Sequence, residues 1–592
     1  MLPTWIQSFR LHSKLTAQHG GSEAKLWPAL LALLLALSWL QPHHYYPIPG
    51  FHKEAWTACW FAVCLVVSAL LLRTSVRVGW MPIALMGMAC WVWVQWALDL
   101  QASGSQALMI STSLLGAALV WAKAQQLHLY DEHVVLDTLM MAVGFAGVIS
   151  VGLCFYQFFD LARESLAWID MWVVRNDPGA RPAANMAQPN QLATLLSWAW
   201  IAGLWGWHRG KIALPVLTAY LCFIALGQGM AQSRIGLLQS LLIVISCLFW
   251  MRAIKSWRLL PALCLSLLVQ LSIFFFLEQI SQSLLLTHIG RDVQGVAQDQ
   301  ARLAIYAYAL QGIASHPWLG WGIQEANQLQ WAFAGQLTGM RTYITFTHNL
   351  LLDLMVWLGI PLAVLVILAL TSWLVQSVRQ TITGAGYIAQ MATGVFLLHA
   401  MVEFPHWGTN LLLWAVAVAG VWSAEVHSQA RASLSKGLSI FLSLVVLCVA
   451  TLSWKDYIYL EENFRIFRAE QSGLIKKPSD PQPTWVMHHL QESLRMSRII
   501  GLPQTSAADL EWMERTVIAG PNYGAQFTLI TNFALAGQHE RAKLWMMRMD
   551  AVAPKDVRDS ARTVWKRYQA WYPTQLGAFA WPESSPKSSP AR

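Results

Sequence analysis

Apolar runs of about 18 residues recur along this chain, and each, wound as a helix, can cross roughly 30 Å of hydrocarbon. No other feature limits the fold as strongly. Lipid offers no partner to a backbone N–H or C=O, so a spanning segment must satisfy its own polar groups, and a helix does so. Thirteen runs are read, at 26–41, 55–72, 80–98, 106–122, 134–154, 190–206, 212–228, 235–251, 259–277, 349–375, 386–402, 410–424 and 437–453. The chain has 592 residues, of which 56% are hydrophobic, 12% charged and 33 tryptophan, too apolar a balance for a soluble globular protein. The expected class is all-α, a polytopic integral membrane bundle of about 13 transmembrane helices.

Orientation follows from the cations. With the N-terminus inside, the inner segments hold 14 lysines and arginines, Arg73, Arg252 and Lys436 among them. The outer segments before residue 453 hold eight, Lys53 and Arg341 among them, although they contain more residues. The net charge of +9 therefore reflects inner-loop bias. No basic stretch interleaved with aromatics points to nucleic acid. The first 25 residues lack an apolar core with a small-residue cleavage site, so the first run reads as a retained anchor. The eight cysteines lie in or at the ends of the runs and give no disulfide framework or zinc spacing.

The domain plan is then a cytoplasmic segment 1–25, a transmembrane unit 26–453 with long outer loops at about 155–189 and 278–348, an outer helical domain 454–575 and a disordered tail 576–592. In that domain "FALAGQHERAKLWMMRMD" has the spacing of a helix-turn-helix repeat broken at Gly537, and resembles a single tetratricopeptide unit.

Three ionisable residues stand where outer loops meet runs. Arg234, in "GQGMAQSRIGLLQ", opposes the charge bias at the start of the eighth run. Arg302 lies on an amphipathic stretch, "QARLAIYAYALQGIASHPWLGWG", that ends in a Pro and Gly-rich turn. His348 opens "THNLLLDLMVWLGI", at the mouth of the tenth run. Each also has a plain reading: a headgroup anchor for Arg234, a solvated helix face for Arg302, and a helix-capping site for His348, with Thr347 or Asn349 beside it.

The order of these motifs resembles the O-antigen ligase and polymerase superfamily of integral-membrane glycosyltransferases. Within it, "MAQPNQLATLL", "HAMVEFPHW" and "PHHYYPIPGFHKEA" are similar to the PglL-type protein O-oligosaccharyltransferases. The resemblance covers about residues 26–425, and the tail matches the extra C-terminal segment such enzymes often carry. It implies transfer of a glycan from an undecaprenyl-diphosphate carrier to a Ser or Thr hydroxyl of an exported, pilin-like protein, at a periplasm-facing site in the bacterial inner membrane.

The implied chemistry suits the residue types. Arginine donates to phosphate oxygens as a planar, permanently charged fork, so Arg234 and Arg302 are expected on the pyrophosphate. A neutral imidazole accepts a proton near pH 7, so His348 is the expected base. Gln188, Asn190, Asn349, Glu403 and His406 are expected to line the substrate, and Asp353 to face the bundle interior as an orienting partner. An ordinary cap by Asn190 is the alternative there. No metal or other cofactor is expected, since the outer loops lack the paired carboxylates a divalent ion favours. The early outer histidines, His43, His44 and His52, could stack on sugars or form an interfacial belt. The tail is expected to help present the acceptor protein. An O-antigen ligase or polymerase, a lipid-linked glycan transporter and a non-catalytic assembly protein remain alternatives. The transporter is disfavoured because no pair of broken helices marks inverted repeats.

Overall fold

The computed structural model describes residues 23–44, 46–72, 74–161, 171–176, 179–284, 294–334, 336, 341–426, 430–475, 483–499, 501 and 505–582. Each of the thirteen apolar runs is a helix: α1 (Glu23–Leu40), α2 (Phe51–Leu71), α3 (Trp80–Ala97), α4 (Gly104–Tyr130), α5 (Val134–Phe158), α6 (Pro189–His208), α7 (Leu214–Met230), α8 (Arg234–Ala253) and α9 (Leu260–Ser283) come first. After α10 (Gln294–Ser315) and α11 (Ala326–Phe333) in the long loop follow α12 (Leu350–Gln380), α13 (Gly384–Ala400), α14 (Thr409–Glu425) and α15 (Lys436–Gln471). Seven of them, α2, α4, α5, α8, α9, α12 and α15, are long and apolar enough by themselves to cross a membrane. The protein is an all-α polytopic membrane bundle.

Alternation of the loops is visible in the contacts. At one end β1 (Val76–Val78) pairs antiparallel with β2 (Ala432–Leu434), Lys436 Nζ donates to the Leu70 carbonyl, and His128 meets Glu425 at 2.5 Å. These are the segments expected inside. At the other, upper end the segments expected outside meet one another: Asn185 donates to the Leu40 carbonyl, Asn410 N to Glu54, and Arg181 to the Gln232 carbonyl that closes α7.

One run is not a single helix. α12 breaks at Gly359, which has φ 74° and ψ 167° and is followed two residues later by Pro361. A side chain has no room at Gly359: its Cβ would lie 2.5 Å from the Trp318 carbonyl, just as a Cβ on Gly320 would lie 2.6 Å from that of Trp357. The turn "HPWLGWG" laces into the break. Ile360 N donates to the Pro317 carbonyl at 2.7 Å and Trp321 N to the Val356 carbonyl at 2.8 Å, while Gln95 of α3 donates to Trp357 O at 2.6 Å. Proline and the left-handed glycine remove the α-helical partners of these groups, and the loop supplies replacements. The tenth run is therefore a short buried helical segment, 350–358, set on a spanning helix, 360–380, of roughly 30 Å. The expectation of one unbroken span over 349–375 is corrected, although among the described residues this break has no counterpart that would suggest a repeat.

α15 runs without interruption past residue 454 to Gln471, so no break in the helix marks the place where the apolar run stops. The upper part of α15 holds the early segment: Tyr457 stacks on Phe51 at 4.0 Å, and His52 bonds Glu461 at 3.0 Å and Trp454 at 3.0 Å. His52 is thus engaged within the fold. The C-terminal helices are α16 (His488–Ser497), α17 (Ala507–Ala519), α18 (Tyr523–Leu535), α19 (His539–Val552), α20 (Lys555–Trp571) and the short α21 (Pro573–Leu576). Gly537, at φ 75°, breaks α18 from α19 where the repeat-like pattern placed the turn. Phe579 and Trp581 pack against this domain, and Trp581 Nε1 donates to Asp550, so order extends beyond 576. The rest of the expected tail, 583–592, lies outside the described residues, as does 1–22.

Candidate active site

Four stretches of chain converge on one carboxylate at the upper end. Glu403, in the turn between α13 and α14, accepts on one oxygen from Arg302 Nη2 of α10 at 2.6 Å and from Asn190 Nδ2 of α6 at 3.3 Å. On its other oxygen it meets His348 Nδ1, just before α12, at 2.8 Å. The carboxylate is buried, with 9% of its side chain exposed, whereas Arg302 and His348 keep 35% and 25% of theirs open. A buried acid thus orients two accessible groups.

The local sequence explains the geometry. Asn349 caps α12, its side chain accepting from Leu351 N and Leu352 N, and its amide donates to the Met401 carbonyl across the site. Thr347 N donates to the buried Asp353 carboxylate at 2.8 Å. Pinned on both sides, His348 takes the left-handed conformation, φ 58°, which throws its ring toward Glu403 rather than along the helix. Phe346 stacks on Phe404 at 5.0 Å, and the His348 ring abuts Phe404 edge-on at 4.9 Å.

The capping alternative for Asn190 is corrected. Gln188 caps α6, accepting from Gln191 N at 2.6 Å, and Pro189 takes the first turn. Asn190 is left for the site, where it also accepts from Ser233 Oγ at 2.8 Å. Ser233 caps α8, so the hydrogen-bond chain from Glu403 through Asn190 ends one residue from Arg234, which is exposed at the first position of that helix.

His406 sits beneath this layer. It lies 3.6 Å from Asp353, which is itself fully buried, and its ring is packed edge-on against Phe346 and Trp357. The two turns interlock: 347–353 and 403–406 each bring one histidine and one carboxylate, and each histidine faces the other turn's acid.

Electrostatics differ between the two histidine and acid pairs. Burial alone would raise the Glu403 carboxyl, but the hydrogen bond and charge of His348, with the charge of Arg302, outweigh it and hold the group below its ordinary range. Glu403 is ionised and can only accept. For His406, burial and then the nearby His399 push the imidazole from 6.5 down to about 4, so it stays neutral and the 3.6 Å approach to Asp353 is no ion pair. A sign follows. Between pH 6.5 and 4 the unfolded histidine binds a proton that the folded one refuses, so acidification costs stability, at up to about 1.4 kcal/mol per pH unit for this group. Thermal melts of the solubilised protein are expected to fall less steeply across that window in His406→Gln than in the natural chain.

Of the residues singled out from the sequence, Arg302, His348, Glu403 and Asn190 form one contact set. Asn349 and Asp353 support it, His406 underlies it, Gln188 serves as a helix cap, and Arg234 stands beside it. Missed were Ser233, Lys53 and Glu54. Glu54 of α2 accepts from Asn410 N at 2.9 Å and so caps α14 from a distant helix, while Lys53 donates to the Met186 carbonyl at 3.3 Å, just before the "QPN" turn. The adjacent "KE" just before the second apolar run was the signal available. Among the described residues, no group of three or more His, Cys, Asp or Glu is arranged to hold a metal ion.

Three family models match segments of the chain. Residues 216–367 match the O-antigen ligase family model, 390–579 the model for the C-terminal part of virulence factor membrane-bound polymerases, and 182–207 the protein glycosylation ligase model. The chain is 24% identical over 480 residues to a general O-oligosaccharyltransferase of Acinetobacter baylyi, covering 77% of this chain and 81% of that protein. It is 23% identical over 318 residues to a ComP-specific O-oligosaccharyltransferase of the same organism, covering 48% and 56%. No solved structure matches significantly. The site lies on segments that fall inside these matches: Asn190 in the glycosylation ligase region, Arg302 and His348 in the ligase region, Glu403 in the polymerase region. The chain is therefore a glycosyltransferase, similar over these segments to O-antigen ligases, to protein glycosylation ligases and to O-oligosaccharyltransferases.

Proposed function

We propose that this chain moves an oligosaccharide en bloc from an undecaprenyl-diphosphate carrier to a serine or threonine hydroxyl of an exported protein, such as a pilin, at the periplasmic face of the bacterial inner membrane. The observation that carries the reading is the contact chain Arg302, Glu403, His348. In the neutral form of His348, Glu403, kept charged by Arg302, accepts a hydrogen bond from Nδ1–H, which leaves the Nε2 lone pair to act as a base. The acceptor oxygen bonds to the anomeric carbon as the bond from that carbon to the diphosphate oxygen breaks. The hydroxyl proton passes to Nε2, and the electron pair leaves with the polyprenyl diphosphate. Arg302, whose fork retains N–H groups beyond the one given to Glu403, meets the charge that develops there, with Arg234 alongside. The arginines take the place of a metal ion.

The names of the two relatives support a protein acceptor, since both are O-oligosaccharyltransferases. The ligase and polymerase family matches support the second reading, in which lipid A core or another glycan is the acceptor. Incubating the purified chain with a polyprenyl-diphosphate glycan, chelator, and either a pilin or lipid A core tests both. Glycan on the pilin is expected, at an undiminished rate in chelator. Transfer to lipid A core alone would replace the acceptor, and loss in chelator would remove the arginine mechanism.

A further inference from the structure

The long loop that ends at His348 does not reach it freely. Trp331 of α11 is 3% exposed and belongs to the hydrophobic core of the C-terminal helices, its ring 5.2 Å from Trp545 of α19 and 5.5 Å from Tyr343. Tyr343 stacks on Tyr523 of α18 at 4.6 Å and donates to Gln526 at 3.3 Å. Asn327 Nδ2 donates to the Ile518 carbonyl at 2.5 Å, and Arg341 Nη1 to the carbonyls of Asp550 at 2.8 Å and Ala551 at 3.2 Å. Gln330 ties the two arms of the loop, donating to Thr342 O and accepting from Ile344 N, both at 2.8 Å.

The next residues face the other way. Ile344 and Phe346, each 2% exposed, are buried in the cluster that contains Trp357. The short stretch from Tyr343 to His348 is thus held at one end by the C-terminal helices and at the other by the bundle. The C-terminal helices are themselves fixed to the bundle, through Ser105 against His489 at 2.9 Å and Gln106 Nε2 on the Ala519 carbonyl at 3.2 Å. The repeat-like hairpin α18 and α19, part of the tail expected to help present the acceptor protein, gives Tyr523, Gln526 and Trp545 to the chain's own loop.

We infer that the C-terminal domain is a brace that positions His348, built from the docking of Trp331 and Tyr343 onto α18 and α19. This rests on the reading of His348 as the base. A base displaced by about 1 Å loses roughly 100-fold in rate although it is still present, so a contact made five residues away acts on catalysis without touching substrate. Acceptor binding is a separate matter, and the two roles part in the kinetics.

The test uses the full-length chain carrying Tyr343→Ala, Tyr343→Phe, Trp545→Ala or His348→Asn. Rates are measured with a pilin acceptor and for acceptor-independent hydrolysis of the donor, and amide exchange is followed over 341–347. Tyr343→Ala and Trp545→Ala are expected to lower kcat by about 10- to 100-fold at unchanged acceptor KM, with faster exchange over 341–347, while Tyr343→Phe keeps the ring and the rate. Since Trp545 is fully buried in the domain, Tyr343→Ala, made on the loop side, decides if that variant fails to fold. A raised acceptor KM with kcat intact would make the domain an acceptor receptor and overturn the brace. Unchanged kcat and KM would overturn it too. Full transfer by His348→Asn would instead sink the base assignment, whatever Tyr343→Ala does.

Discussion

His348→Asn is expected to lower glycan transfer by about 100- to 10,000-fold, the usual worth of a positioned general base, with thermal stability close to that of the natural chain. Asparagine is the informative replacement. His348 has φ 58°, a conformation that asparagine tolerates and alanine resists by roughly 1 kcal/mol. The asparagine amide can still donate toward Glu403, so the carboxylate is not left with a missing partner, and what disappears is the second ring nitrogen that would accept the proton. His348→Ala confounds that loss with strain and with a buried acid short of one hydrogen bond. Initial rates with purified donor and acceptor, set beside a melt of each variant, separate the two. Retention of more than a tenth of the natural rate in His348→Asn would exclude proton removal by this residue.

Arg302→Ala is expected to cost about 100- to 1,000-fold in transfer, the magnitude found when one preorganised donor to a developing anion is removed. Two losses combine. The Arg302 side chain is 35% exposed, yet it also gives a 2.6 Å bond to Glu403. Its removal withdraws one of the charges that keep that acid ionised, which loosens the hold on His348. Arg302→Lys should restore only a small part, because one ammonium cannot serve the carboxylate and a diphosphate as a planar fork does. The ratio of donor KM to kcat locates the defect. An unaltered kcat with weakened donor binding would mean that Arg302 holds the ground state and gives nothing more to the leaving group.

Much of this molecule was legible from residue order. The thirteen helices were, because a bilayer leaves a long apolar segment no other way to satisfy its backbone, and that constraint is local. His348, Arg302 and Glu403 were legible as types suited to the proposed task, with motif order supplying the reason to group them. The break in α12 was written as "GIP", but a proline after glycine in an apolar run is also compatible with a mild kink. Only the approach of 317–321 makes it a true interruption.

What the sequence by itself determined was class, helix placement and a short roster of chemical groups, since hydrophobic period and charge act over a few residues. Which groups touch was decided by tertiary structure. Gln188 caps, so Asn190 is free to bond Glu403; Glu54 of α2 caps α14; and Trp331 joins the C-terminal core instead of the bundle. Each partner lies tens to hundreds of residues away, where no periodicity reports on it. A buried donor or acceptor must be paired, but its partner is settled by how the helices pack.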